Sequence, residues 1–330
     1  MMNHLTLAQD VVRRLRARLN AAVIGREAVI DAVILALLAD GHVLLEDYPG
    51  SGKTTLAKAL GDALVDDETT DTLVAMRRIQ FTPDLLPSDI TGTTIFEPEH
   101  QRFTFRQGPL FALVLLADEI NRTSPKVQSA LLEAMAEKQV TVDNETRRLD
   151  ELFFVIATQN PLDLAGTFPL PVAQLDRFLF KIRMVPIARE AERRLLDALD
   201  EVKRGAPESL ARVSRTDVVS ARRSIVAKVV VAPAIKDALV DLAQATRSSP
   251  LIHQGVSTRS LVQIVPALQT RALMEGRDHV TDEDLAALSP LVFAHRIQLA
   301  PGAPAADEVL RRCAQPVLDK LARKAIGKPR

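Results

Sequence analysis

Three short segments of this sequence carry residues whose types and spacing can handle phosphate. Asp47-Tyr48-Pro49-Gly50-Ser51-Gly52-Lys53-Thr54-Thr55 matches most of the pattern GxxxxGK[ST]. Glycines in such a loop let successive backbone N–H groups turn inward on phosphate oxygens, and a following helix adds the positive end of its dipole. Lys53 would reach the β- and γ-phosphates and the Thr54 hydroxyl would take Mg²⁺. The first glycine of the pattern is replaced by Asp47, which tolerates unusual backbone angles but sets a carboxylate beside bound phosphate, so weaker nucleotide binding is expected. Asp118-Glu119 supplies the partners such a loop needs, one acid for the metal shell and one to polarise an attacking water. Asn160 could bridge the γ-phosphate and that water without adding charge. The expectation is therefore ATP with Mg²⁺, held by Pro49, Gly50, Ser51, Gly52, Lys53, Thr54, Thr55 and Asp118, with Thr54 and Asp118 on the metal and Glu119 and Asn160 catalytic. Taken alone, an acid pair after a strand is also an ordinary loop start, and Asn160 before Pro161 an ordinary turn residue.

The elements around these residues are those the chemistry requires. His42-Val43-Leu44-Leu45-Glu46 is a short apolar strand feeding the loop, and Leu56, Ala57, Leu60, Ala63 and Leu64 after it have the spacing of a helix packed on a sheet. Leu113–Ala117 runs into Asp118, and Leu152–Thr158 into Gln159-Asn160. Near-continuous apolar runs of this kind are strands of a parallel sheet covered on both faces, and open parallel sheets bind ligands at their carboxyl ends. Helical spacing lies between them, from Lys126 to Lys138, and again from Ala188 to Leu199. Thr93–Glu97 and Arg102–Arg106 flank Pro98-Glu99-His100-Gln101 as a β-hairpin inserted into the alternation. Ten of the eleven phenylalanines fall between Phe81 and Phe180, after which Ala, Leu, Val and Arg at helical spacing take over. A boundary near 187 follows, giving a core of residues 1–187 and an all-helical domain of residues 188–330 with helices around Val218–Ala227, Pro233–Ala245, Thr258–Met274, Thr281–Leu288 and Asp307–Ala325.

Composition narrows the partners. With 330 residues, 47% hydrophobic, and 42 basic against 42 acidic side chains, the chain can bury a sizeable core and lacks the global basic field of a non-specific nucleic-acid binder. Its first twenty residues suit an amphipathic helix and not a signal peptide, and no run approaches the roughly 20 apolar residues of a bilayer span. A single cysteine, Cys313, forms no intrachain disulfide. A cytoplasmic protein with no membrane insertion and no nucleic-acid partner is expected.

The order of phosphate loop, Asp-Glu pair and polar strand end resembles the AAA+ ATPases, and finer detail resembles their MoxR family. The segments that carry the likeness are Arg78-Ile-Gln-Phe-Thr-Pro-Asp-Leu-Leu-Pro-Ser-Asp-Ile-Thr-Gly92, Gln107-Gly-Pro-Leu-Phe111, Ala117-Asp-Glu-Ile-Asn-Arg122, Gln128-Ser-Ala-Leu-Leu-Glu-Ala-Met135, Ala157-Thr-Gln-Asn-Pro161, Pro169-Leu-Pro171 and Gln174-Leu-Asp-Arg-Phe178, with weaker matches at Gly255-Val-Ser-Thr-Arg259, Gly276-Arg277 and His295-Arg296-Ile297. The resemblance implies an α/β AAA+ P-loop core, a parallel sheet flanked by helices with a β-hairpin insertion, and a C-terminal all-helical lid. It implies an ATPase working as a homo-oligomer, by family expectation a hexameric ring, whose hydrolysis drives chaperone-like remodelling, maturation or cofactor insertion in a protein client, typically beside a separate von Willebrand A domain protein. Residue by residue, it makes Arg177 an arginine finger for the neighbouring subunit's ATP and Arg259 the second sensor arginine, acting in cis or in trans, with Arg122 a further candidate for a trans contact. An ion pair of Arg177 with adjacent Asp176 is the plain alternative. The family often has glutamate where Val172 stands and usually glycine at Asp47. A magnesium-chelatase-like motor subunit, or a nucleotide-gated scaffold with little hydrolysis, would show the same core motifs.

Overall fold

The computed structural model describes residues 4–46, 51–67, 74–161 and 166–326. Asp47, Tyr48, Pro49 and Gly50, and with them part of the expected nucleotide loop, lie outside the described residues.

Two helices open the chain, α1 (His4–Ala22) and α2 (Glu27–Leu38), before strand β1 (Val43–Glu46). After the phosphate loop come α3 (Lys53–Ala63), the two-residue β2 (Leu64–Val65), β3 (Val74–Gln80), the short α4 (Pro87–Thr91) and the hairpin β4 (Gly92–Glu97) and β5 (Arg102–Gln107). Strand β6 (Ala112–Asp118) is followed by α5 (Pro125–Glu137), a second hairpin β7 (Gln139–Val142) and β8 (Glu145–Arg148), β9 (Phe154–Gln159), the one-turn α6 (Val172–Leu175) and β10 (Phe180–Arg183). The remainder is helical apart from short strands: α7 (Arg189–Asp197), α8 (Leu199–Arg204), β11 (Val213–Ser214), α9 (Arg215–Lys228), α10 (Pro233–Ser248), β12 (Ile252–Gln254), α11 (Thr258–Met274), α12 (Asp282–Phe293), β13 (Gln298–Leu299) and α13 (Ala306–Ile326). No described helix is long and apolar enough to cross a membrane.

The central sheet has five strands in the order β10-β1-β9-β6-β3, every neighbour parallel. Parallel neighbours need crossover connections, and these lay helices on both faces. Alternate residues accordingly divide between two apolar clusters. Val43, Leu45, Val114, Leu116, Phe154 and Ile156 join a large cluster shared with α1, α2, α3 and the C-terminal helices. Leu44, Leu115, Ala117, Val155 and Ala157 face a smaller one with Val127, Leu131 and Met135 of α5. The lid is thus joined to the core by continuous apolar packing.

The carboxyl ends of the strands align, which gathers the polar residues that end them. Gln80 is level with Asp118 across β3 and β6, and Glu46 is level with Gln159 across β1 and β9. The expected hairpin is present as β4–β5, in the register Thr93↔Arg106 through Glu97↔Arg102. The second hairpin was not anticipated. Its turn rests on Asp143 and Asn144, both in the left-handed region at φ 52 and 62, the paired conformation that suits a two-residue hairpin turn. The hairpins touch where the Arg147 guanidinium lies 4.0 Å from the Phe105 ring centroid. On the first hairpin, Phe96 and Phe103 pair across the strands with centroids 5.2 Å apart while 53% and 73% exposed.

Candidate functional site

Ser51, Gly52, Lys53, Thr54 and Thr55 line one cavity together with Asp118 and Glu119, so two segments more than sixty positions apart in sequence meet at the carboxyl edge of the sheet. Gly52 stands at the N-terminus of α3 with φ 93 and open space where a Cβ would be. Only glycine takes that backbone angle freely, and it turns the chain so that Lys53 and Thr54 open the helix. The N-terminal end of α3 therefore brings the positive end of the helix dipole to the cavity.

Each acid is fixed by contacts that the sequence reading did not assign. Thr158, fully buried on β9, donates its hydroxyl to Asp118 Oδ1 at 2.6 Å and accepts the Glu119 backbone N–H at 2.9 Å. Glu119 has left-handed backbone angles, φ 59 and ψ 50, a costly conformation for a side-chain-bearing residue that the Thr158 bond helps hold. Its carboxylate oxygen Oε2 accepts from Gln80 Nε2 at 3.2 Å and lies 3.0 Å from Arg122 Nε. Arg122, expected as a candidate for a contact across subunits, thus pairs with Glu119 of its own chain. Arg78 Nη2 reaches both Asp118 Oδ2, at 2.7 Å, and Gln80 Oε1, at 2.9 Å. A continuous polar chain, Asp118 to Arg78 to Gln80 to Glu119, crosses the mouth of the cavity.

Asn160 follows β9, beside the strand that feeds the phosphate loop, and its backbone carbonyl accepts from Asn121 Nδ2 at 3.4 Å. It is not among the described residues that line the cavity.

Arg177 and Arg259 lie elsewhere. Both line a second cleft, with Asp40, His42 and Lys138, that shares no described residue with the first. Among the described residues, Arg177 makes one long hydrogen bond, from Nη1 to the Leu132 carbonyl at 3.5 Å. Asp176 does not pair with it. Its carboxylate faces Arg296 of the lid, whose Nε is 3.3 Å from Oδ1, and accepts the Ser260 hydroxyl at 2.9 Å and the Ser257 hydroxyl at 3.5 Å. The Phe178 carbonyl is gripped from the same side, by Arg296 Nη2 at 2.7 Å and His295 Nε2 at 3.0 Å. Ser257 and Ser260 bracket Arg259 at the start of α11, so this cluster anchors both flanks of each cleft arginine. Burial, reinforced by the charge of Arg296, pushes His295 down to about 3, and burial lowers Arg296 itself to about 10. His42 donates from Nε2 to the Met135 carbonyl and accepts the Val155 N–H at Nδ1, both at 3.1 Å, and burial lowers it to about 4. Both histidines are therefore neutral at pH 7 and serve as hydrogen-bonding spacers.

Known proteins share this organisation. Residues 42–180 match the ATPase family associated with various cellular activities (AAA), and residues 244–318 match the AAA lid domain. The uncharacterized protein YeaC of Bacillus subtilis is 44% identical over 287 residues, 86% of each chain. The chaperone MoxR1 of Mycobacterium tuberculosis is 36% identical over 300 residues, 87% of this chain and 75% of that one. The crystal structure of a candidate ATPase from Cytophaga hutchinsonii superposes with a TM-score of 0.80 at 31% identity, covering 97% of this chain and 96% of the other. With core and lid matched in order, and with a named MoxR protein this similar over three quarters of its length, the chain belongs to the MoxR family of AAA+ ATPases.

Proposed function

We propose that this ATPase acts as a ring, by family expectation a hexamer in the cytoplasm, in which each nucleotide is held by one subunit and its hydrolysis completed by the next. The observation that carries the reading is the separation of the two arginines from the cavity of Lys53, Thr54, Asp118 and Glu119. Arg177 and Arg259 share a cleft of their own, so one chain offers a phosphate site on one side and two guanidinium groups on another. A neighbour docked against that cleft would bring both arginines to its own nucleotide, which makes Arg259, like Arg177, a trans residue.

Within a subunit, Lys53 and the N-terminal N–H groups of α3 hold the β- and γ-phosphates. Thr54 and Asp118 contribute a hydroxyl and a carboxylate to one cavity, hard oxygen donors that fit Mg²⁺ better than any softer ion. When bound, Mg²⁺ would neutralise phosphate charge. Glu119 aligns a water and draws off its proton as the water oxygen attacks the γ-phosphorus and the bond to the leaving ADP oxygen breaks, and Asn160, just past the end of β9 and outside the described lining of the cavity, would reach that water only with nucleotide bound. The trans arginines neutralise the charge that develops on the transferring group, an effect worth roughly 10³ or more in rate.

The work performed is chaperone-like remodelling of a protein client, a role suggested by the name of the Mycobacterium relative. The paired Phe96 and Phe103 on the β4–β5 hairpin give an apolar contact surface for that client or for a neighbouring subunit. A protein bearing a von Willebrand A domain is the partner expected beside it.

Complementation tests the shared site. Glu119→Gln and Arg177→Ala should each lack ATPase activity, yet an equimolar mixture should recover roughly a quarter of the native rate, because random pairing in a cyclic assembly creates that share of intact interfaces. No recovery on mixing, or an Arg177→Ala chain as active as the native one, would remove the trans assignment.

A further inference from the structure

We infer that Arg78 is a resident counter-ion for Asp118 that a divalent metal must displace, so that Arg78 sets the Mg²⁺ concentration at which nucleotide is bound tightly. The inference rests on the assignment of Asp118 to the metal.

Asp118 ends the fully buried strand β6 and its side chain is 11% exposed. A carboxylate so placed needs a compensating charge or a full set of donors. Oδ1 is taken by the Thr158 hydroxyl at 2.6 Å, which leaves Oδ2, and Arg78 Nη2 stands 2.7 Å from it. A metal ion drawn to Asp118 meets that guanidinium on the same oxygen, and two cations on one oxygen repel. Arg78 is the partner able to leave. It comes from β3, an edge strand of the sheet, its side chain is 47% exposed, and its other hydrogen bond among the described residues is to the neighbouring Gln80 amide oxygen at 2.9 Å. The lock is opened by competition for Oδ2.

Two consequences separate this role from a simple phosphate grip. Without metal, Arg78 shields incoming phosphates from a bare Asp118. With metal, it opposes the ion. Removing it should therefore weaken nucleotide binding in chelator while making Mg²⁺ more effective.

The test is binding of a fluorescent ATP analogue to the full chain, titrated with MgCl₂ and repeated in EDTA, for the native protein, Arg78→Gln and Arg78→Lys. In Arg78→Gln, half-saturating Mg²⁺ should fall by about 3- to 10-fold and the EDTA-to-Mg²⁺ ratio of dissociation constants should widen by about the same factor, the scale of one partly exposed ion pair. Arg78→Lys keeps the charge and should stay within about threefold of native. An unchanged Mg²⁺ requirement in Arg78→Gln would overturn the inference. So would equal weakening with and without Mg²⁺, which would make Arg78 a phosphate ligand. A native chain whose nucleotide binding ignores Mg²⁺ altogether would instead remove the metal assignment of Thr54 and Asp118, and the inference with it.

Discussion

Replacing Asp176 with alanine should damage the fold far more than replacing its neighbour Arg177. Arg296 is 1% exposed at its side chain and relies on Asp176 for its countercharge. Removing one partner of a buried ion pair strands the other in low dielectric, a loss of about 3 to 5 kcal/mol. The pair here sits 3.3 Å apart at Nε without a well-aligned hydrogen bond, and Arg296 keeps its 2.7 Å bond to the Phe178 carbonyl, which favours the lower end. The Ser260 hydroxyl also loses an acceptor at 2.9 Å. A destabilisation of about 3 kcal/mol follows, which for a chain of 330 residues lowers Tm by about 4 to 5 °C. Arg177, whose one hydrogen bond among the described residues is a long 3.5 Å contact, should shift stability by less than about 1 kcal/mol while its loss removes activity. Thermal and urea unfolding of both variants in one buffer, beside their ATPase rates, tests the pair of statements. Equal destabilisation by Asp176→Ala and Arg177→Ala, or an Asp176→Ala protein as stable as native, would show that the lid cluster does not hold the segment around Arg177.

Thr158→Val removes the hydroxyl that joins Asp118 to the Glu119 N–H, so kcat should fall by about tenfold or more with an unfolding cost of about 1 to 3 kcal/mol, and Thr158→Ser should restore most of both; an unimpaired Thr158→Val enzyme would deny the bridge its role. His42 and His295 are held at about 4 and about 3, below the roughly 6.5 of an unfolded histidine. The unfolded chain therefore takes up protons first as pH falls, so their contribution is complete above pH 7 and is lost from about pH 6.5 downward, by about 1.4 kcal/mol each at pH 5.5. Urea midpoints at pH 7.5 and 5.5 should differ accordingly and His295→Gln should flatten the slope, whereas a midpoint rising on acidification would reverse the reasoning.

The parts of this structure that were legible in the sequence are those whose signal is local. The strands β1, β6 and β9 are buried on both faces and so appear as unbroken apolar runs, and α11 spans the Thr258–Met274 that its periodicity indicates. The phosphate loop is legible because glycine, lysine and threonine must be adjacent to wrap a phosphate. Strand β3 is not, because an edge strand carrying Arg77, Arg78 and Gln80 has neither an apolar run nor clean alternation. Its invisibility hid Arg78 and Gln80 as site residues, since only the register Gln80↔Asp118 brings them to the acids. The β7–β8 hairpin is polar throughout most of its length, and the turn pair Asp143-Asn144 was its one usable signal. The grip of Arg296 on Asp176 joins positions 120 apart, a distance over which a single sequence carries no pairing information, so the nearby Arg177 stood as the plain partner.

The apolar cluster that runs from the sheet into the lid bears on how such a chain can be recombined. The segments matched to the AAA and lid families are 42–180 and 244–318, yet Val11, Leu15 and Leu19 of α1 and Val218, Ala221 and Ile225 of α9 fill the shared interior from outside both. A lid exchanged between relatives along the family borders would arrive without the side chains that its new wall is shaped to receive, and would leave unfilled volume behind. Substitutions in α1, which contributes no residue to the described lining of the phosphate cavity, must therefore be matched by substitutions in α9 and α11. The unit that diverges as a whole is core and lid together, and a chimera that keeps its packing has to carry α1, α9 and the lid as one.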